Sequence, residues 1–243
     1  MGRLTVVGFG PGDAGGMTTR CCECLEAADV IVGYTGYIRL LRPLFPHKAF
    51  VETGMTQEVD RCRAAVERAS SGEAVCVVSS GDAGVYGMAG LVFELVQGVP
   101  GVSVEIVPGV TAALSGAALL GAPLGHDFAV ISLSDLLTPW ELIARRLRAA
   151  AEGDFAIVLY NPGSRKRAGA LGTACEILLE VLPADRICGI ARSIGREGEG
   201  YVLLTLGQLR EVQAGMNETV FIGNAQTLDL GGHMVTPRGY RYG

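Results

Sequence analysis

The sequence predicts an α/β fold of two domains, each built on a central sheet, mostly parallel in the first and mixed in the second. Three observations predict it. Apolar, β-rich runs alternate with helical segments through the first half, which is the pattern of βαβ units and a parallel sheet. Three of those runs end in glycine-bearing loops: Val6-Val7-Gly8-Phe9-Gly10-Pro11-Gly12-Asp13, Val77-Val78-Ser79-Ser80-Gly81-Asp82-Ala83-Gly84 and Val107-Pro108-Gly109-Val110-Thr111-Ala112. Strands outnumber helices behind Gly121-Ala122-Pro123, which reads as a crossover into a second domain. The division expected is 1–113 and 114–243.

In chain order, residues 4–8 form the first strand, and Thr18 caps a helix reaching Ala27. A strand at 29–33, a short helix near 37–41 and an amphipathic helix at 57–69, opened by Thr56 and stopped by Ser70-Ser71-Gly72, follow. Then come a strand (74–79), a helix (88–97), a strand (102–107) and a small-residue helix (110–120). The second half reads as a strand (128–133), a helix with Pro139 in its first turn (139–151), a strand (155–160), a helix (168–182) and strands at 187–191, 201–206 and 219–223. A short helix near 208–214 separates the last two.

Composition bounds the partners. The 243 residues are 49% hydrophobic, include 35 glycines and carry a net charge of -5, which favours a large buried core and argues against a nucleic-acid partner. No Lys or Arg lies between Arg68 and Arg145, whereas Arg145, Arg146, Arg148 and Arg165-Lys166-Arg167 crowd together soon after. Such a run is either a solvated face or a surface that steers a polyanionic substrate. The chain enters a strand at once, and no apolar run reaches membrane-spanning length, so a cytoplasmic protein without membrane partner is expected. Seven cysteines without paired spacing predict neither a disulfide framework nor a metal site. Cys21-Cys22-x-Cys24 lies on a helical segment, where adjacent side chains diverge.

A strand that runs into glycines and an aspartate exposes backbone N–H groups and a carboxylate at the carboxyl edge of a sheet, where open α/β folds bind small molecules. The first loop departs from the dinucleotide fingerprint, because Pro11 removes a donor and a Gly-Asp turn precedes the helix. The phosphate-loop pattern of nucleoside triphosphatases is absent. Ser80-Gly81-Asp82 offers N–H groups and one carboxylate suited to a ribose or to a cationic ammonium or sulfonium group. Thr111 is placed either to cap the next helix or to bind a ligand carboxylate.

These three loops, in this order and spacing, resemble those of the tetrapyrrole (corrin/porphyrin) methyltransferases. Gly125-His126-Asp127-Phe128, the run from Ser132 to Trp140, Leu159-Tyr160-Asn161-Pro162 and Met234-Val235-Thr236-Pro237-Arg238-Gly239-Tyr240 are similar to the precorrin-3B C17-methyltransferases of cobalamin biosynthesis within that family. The resemblance implies S-adenosyl-L-methionine (SAM) as methyl donor, S-adenosyl-L-homocysteine as product, a cleft between the domains, and a homodimer. It implies C17 methylation of an anionic tetrapyrrole macrocycle coupled to ring contraction; another precorrin position or a diphthamide precursor is the alternative target. Family SAM contacts fall on Pro11, Ser80, Gly81, Asp82, Val85, Thr111 and Ala112, and in the second domain on Tyr160, Asn161, Ser193 and Thr219. Ala83 stands where many members have proline, and Tyr34 where the uroporphyrinogen-methylating branch has an aspartate. Ring contraction moves protons and needs an acid–base group, for which His126 and Asp135 are the candidates, with Tyr34 and Ser132 behind them. His126 reads equally as half of a buried His–Asp pair, and Asp135 as a helix cap. Arg165, Lys166 and Arg238 are candidate partners of substrate carboxylates.

Overall fold

The computed structural model describes residues 2–164 and 168–241. The chain divides into two compact units, Met1–Ala112 and Ala113–Gly243. The first contains β1 (Gly2–Gly8), α1 (Thr19–Ala27), β2 (Val30–Tyr34), α2 (Thr35–Leu41), β3 (Ala49–Thr53), α3 (Glu58–Ser70), β4 (Ala74–Ser79), α4 (Ala89–Leu95) and β5 (Val102–Val107). Its sheet has the order β3-β2-β4-β1-β5, with every pairing parallel. The strands are apolar on both faces because helices cover both. Val7, Ile31, Cys76 and Val78 pack against Cys21, Leu25, Ile38 and Leu41 of α1 and α2. Leu4, Val6, Val32 and Val77 turn to the opposite face, against Cys62, Ala65, Val66 and Val92 of α3 and α4. Thr18 caps α1 as expected, its hydroxyl accepting from Cys21 N at 3.1 Å.

α5 (Ala112–Leu120), β6 (Gly121–Ala122), β7 (Phe128–Ser132), α6 (Trp140–Glu152), β8 (Ala156–Tyr160), α7 (Ala170–Leu179), β9 (Ile187–Arg192), β10 (Gly200–Thr205), α8 (Leu206–Leu209), β11 (Glu218–Ile222), β12 (Leu228–Asp229) and β13 (Met234–Val235) follow. The second sheet, β10-β9-β11-β8-β7, is mixed: β7 and β8 are parallel, whereas β11 runs antiparallel to β8 and β9, and β10 antiparallel to β9. One face packs on α6, α7 and α8 through Ile131, Ile157, Leu159, Ile190 and Val220. The other takes Ala113, Ala117 and Leu120 of α5 against Val158 and Phe221.

The sequence reading missed four strands. β3 is an edge strand with two of its five residues exposed and none buried, so its apolar signal is weak. β6, β12 and β13 contribute two residues each to a small three-stranded sheet, too short for any periodicity. The helix expected near 208–214 instead occupies Leu206–Leu209, because Thr205 and Gln208 form a reciprocal capping box that starts it early. Pro139 is the N-cap of α6 rather than a first-turn residue, so Asp135 is not its cap.

Candidate functional site

The three glycine loops meet at the carboxyl edge of the first sheet. Phe9 N donates to Ser79 O at 3.0 Å and Gly10 N to Gly81 O at 2.9 Å, which joins the loop after β1 to the loop after β4. Glycine permits this closeness: a Cβ on Gly109 would lie 2.2 Å from Gly81 O and 2.4 Å from Gly8 O, and one on Gly10 would lie 2.3 Å from Val110 O. Gly81 also sits at φ +71°, a conformation that favours glycine.

Asp82 holds the loops together. Its Oδ1 accepts from Gly84 N at 2.8 Å and Val85 N at 3.1 Å, and its Oδ2 accepts from Gly109 N at 3.0 Å. The carboxylate expected to face a ligand is thus engaged by backbone donors of two loops. Pro11, Ser80, Gly81, Thr111 and Ala112 are partly exposed around it, and Val85 is exposed. Ser79 Oγ accepts from Met88 N at 3.1 Å and closes the base of the loop after β4.

At the end of β2, Tyr34 stacks edge-on against Tyr37 (5.2 Å between centroids), which in turn meets Phe9 edge-on (5.7 Å). The Arg61 guanidinium lies 6.0 Å from the centre of the Tyr34 ring. Arg61 went unnoticed in the sequence because a single arginine in a charged amphipathic helix gives no signal; only its 3% exposure singles it out.

The second unit gathers its own set. Ser132 ends β7 and Tyr160 ends β8, paired in register. Asn161, at φ +53°, donates through Nδ2 to Ser132 Oγ at 2.9 Å, and the Tyr160 hydroxyl accepts from Ala113 N at 2.6 Å. Ser193, at φ +49°, follows β9. Thr219 is buried on β11 opposite Ala191 and one residue before Val220, the partner of Leu159. Ser132, Tyr160, Asn161, Ser193 and Thr219 therefore share one edge of the second sheet. Asp135 is exposed beyond that edge and lines a cavity of about 220 Å³ with Leu133, Trp140, Ala170 and Thr173.

His126 is not part of this group. It precedes β7 at the strand's other end, about 20 Å from Ser132 at strand rise. Its Nε2 lies 2.9 Å from Pro237 O, and because a carbonyl only accepts, Nε2 carries the hydrogen. The ring partner is this carbonyl and not Asp127. Arg238 is exposed with no ion pair among the described residues. Arg165 and Lys166 lie outside the described residues. No described helix is long and apolar enough to cross a membrane.

Residues 3–210 match the model of the Tetrapyrrole (Corrin/Porphyrin) Methylases. The chain belongs to this family. The methylase is 47% identical over 238 residues to the probable cobalt-factor III C(17)-methyltransferase of Salmonella typhimurium, covering 98% of this chain and 99% of that one. It is 46% identical to the precorrin-3B C(17)-methyltransferase of a Sinorhizobium species, covering 93% and 90% of the two chains. The crystal structure of the methyltransferase CobJ superposes with a TM-score of 0.90 at 39% identity over 98% of this methylase and 100% of that chain.

Proposed function

We propose that this methylase transfers the methyl group of SAM to C17 of a cobalamin-pathway tetrapyrrole, precorrin-3B or cobalt-factor III, with contraction of the ring. The observation that carries the reading is the glycine-packed edge after β1, β4 and β5 in a chain that aligns end to end with C17-methyltransferases. Glycines at 8, 10, 81 and 109 let the three loops close into one edge, and the partly exposed Pro11, Ser80, Gly81, Thr111 and Ala112, with the exposed Val85, border it as the surface offered to a nucleoside. These residues would hold SAM, which supplies a sulfonium-activated methyl group. Tyr160, Asn161, Ser193 and Thr219, sharing one sheet edge, are the contacts proposed from the second unit.

Methyl transfer from a sulfonium is an in-line displacement, so the chain's main contribution is alignment of donor and nucleophilic carbon. Proton movement during contraction falls to Asp135 and to the Ser132 hydroxyl, whose oxygen Asn161 fixes at 2.9 Å, with Tyr34 in the first unit behind them. His126, bound to Pro237 O at 2.9 Å, is the weaker acid–base candidate and the better tie for the C-terminal segment. Arg165, Lys166 and Arg238 are proposed to meet the macrocycle's carboxylates. The family resemblance supports a cytoplasmic homodimer, which light scattering after size exclusion checks.

The test is to incubate the purified chain with SAM and either metal-free precorrin-3B or cobalt-factor III under anaerobic conditions. Mass spectrometry should show one added methyl group and the contracted ring. Methylation of another precorrin or of a diphthamide precursor, with neither C17 substrate consumed, would overturn the reading.

A further inference from the structure

We propose that Arg61 is the first unit's anchor for a carboxylate of the substrate macrocycle, an inference that rests on the tetrapyrrole substrate proposed above. Arg61 on α3 is 3% exposed, and every group among the described residues that receives its hydrogen bonds is neutral. Nε donates to Thr53 Oγ1 at 2.9 Å, Nη2 to Gly54 O at 2.9 Å, and Nη1 makes a long contact with Met88 Sδ at 3.8 Å. Other cations of this unit hold carboxylates at the surface: Arg20 pairs with Glu105, Arg42 with Glu52, Arg63 with Asp60 and Arg68 with Glu73. No such pair involves Arg61 among the described residues. A buried charge normally comes with an opposite one, because desolvation penalises it heavily otherwise.

A guanidinium carries five N–H groups. Three find protein acceptors here, one of them only sulfur, which leaves one N–H on each terminal nitrogen without an acceptor among the described residues. Paired donors on the two terminal nitrogens suit a bidentate carboxylate. The group lies one layer below the surface, since Tyr34, Thr53 and Met88 around it are partly exposed and Gly54 is exposed.

Its place in the fold fits the reaction. Strand order sets the ends of β2 and β3 on the far side of β4 from β1 and β5. The proposed donor loops follow β1, β4 and β5, so Tyr34, Thr53 and Arg61 occupy the adjoining half of the same carboxyl edge. A macrocycle facing the donor from there meets an aromatic side chain and a cation together. Residues 69–144, which include the loops after β4 and β5, hold no Lys or Arg, so neither of those loops supplies a cation.

Steady-state kinetics on the full chain at saturating SAM test this with Arg61→Met and Arg61→Lys. Arg61→Met should raise the macrocycle KM about 10- to 100-fold, the loss expected for charge-assisted hydrogen bonds. Its kcat should stay within about threefold, calorimetric SAM affinity should be unchanged, and Arg61→Lys should recover part of the KM. An unmoved KM overturns the assignment, as does a parallel loss of kcat, SAM affinity and thermal stability, which marks a structural strut. If neither variant folds, a crystal structure of the wild-type chain with S-adenosylhomocysteine and the macrocycle decides. A carboxylate oxygen about 3 Å from Nη1 or Nη2 supports the anchor, and an Arg61 without one overturns it. A wild-type chain that neither binds nor methylates the macrocycle refutes the substrate reading itself and this inference with it.

Discussion

The Asp82 carboxylate reaches across to the Gly109 N–H at 3.0 Å, so one side chain fixes the spacing between the loops after β4 and β5. Its other oxygen holds Gly84 and Val85, and three backbone donors depend on one residue. Asp82→Ala should therefore weaken SAM binding by about 1.5–3 kcal/mol, the scale of hydrogen bonds to a charged group. The mechanism is loop disorder as much as loss of a ligand contact, so the melting temperature should fall alongside. Asp82→Asn should recover only part of both, because an amide NH2 cannot accept from Gly109. Calorimetric titration with thermal denaturation checks this, and an unchanged affinity in Asp82→Ala would show that glycine packing alone holds the loops.

Glycine packing has its own test. Gly109→Ala places a methyl 2.2 Å from Gly81 O, so the loops must part; overpacking of this kind costs about 1–3 kcal/mol. SAM affinity should fall with stability. Gly90→Ala on α4 is the control, since its Cβ meets nothing within 4 Å, and alanine there should stabilise by about 0.5–1 kcal/mol. Denaturant midpoints for both variants decide.

Much of the fold was legible because its strands are buried on both faces. Ala74–Ser79, an inner strand, was read to the residue from an apolar run bounded by turn signals, and so was the edge strand Val102–Val107, because four of its six residues are valine or isoleucine. β3 was not, since an edge strand with exposed Ala49 and Glu52 gives no clean alternation. The junction of the three loops was legible where backbone chemistry dictates residue type, at Gly8, Gly10, Gly81 and Gly109. The site was illegible where significance comes from surroundings. Nothing in the sequence separates Arg61, buried without a carboxylate among the described residues, from Arg63 two residues on, which pairs with Asp60 at the surface. Nor does local sequence reveal that His126 and Ser132, at the two ends of one strand, face different neighbourhoods.

That separation predicts different phenotypes. His126→Ala should lose the bond to Pro237 O and lower stability by about 1 kcal/mol with SAM affinity and turnover nearly intact. Asp135→Asn should instead leave SAM affinity intact and cut contracted product by about 10²–10⁴-fold, the range for a lost acid–base group; Ser132→Ala should cut it likewise and, by releasing Asn161, weaken SAM binding slightly. Contracted product measured per bound SAM separates the two. A His126→Ala chain that is stable but forms no contracted product would return the acid–base role to the histidine.

Burial of the thiols sets an alkaline limit on stability. Desolvation pushes Cys62 up to about 11 and Cys21, Cys76 and Cys175 up to about 12, against an ordinary 9.0. Folding thus favours the neutral thiol. Its contribution is complete below pH about 9, where unfolded thiols are also protonated, and is lost as pH rises through about 11–12. The urea midpoint should fall steadily above pH about 9. At neutral pH iodoacetamide should label Cys22, the partly exposed one, well before the six buried cysteines. Equal labelling of Cys22 and Cys76 in native protein would contradict that order.

The last prediction concerns Arg238, Arg165 and Lys166. Arg238 has no carboxylate partner among the described residues, and the sequence places Arg165 and Lys166 shortly after the Tyr160-Asn161 edge. If these three meet the macrocycle's carboxylates, Gln at each position should raise its KM and leave SAM affinity alone. Exposed pairs are screened over a Debye length of about 8 Å at physiological ionic strength, so these increases should shrink as salt is added. Arg61 should behave otherwise, because a buried ion pair is screened much less, and the KM penalty of Arg61→Met should persist at high salt. The comparison therefore assigns surface steering to the second unit and a fixed anchor to the first. A KM unmoved by salt and by all three Gln variants would leave Arg238, Arg165 and Lys166 as solvated charges and put the macrocycle's carboxylates on Arg61 and backbone donors.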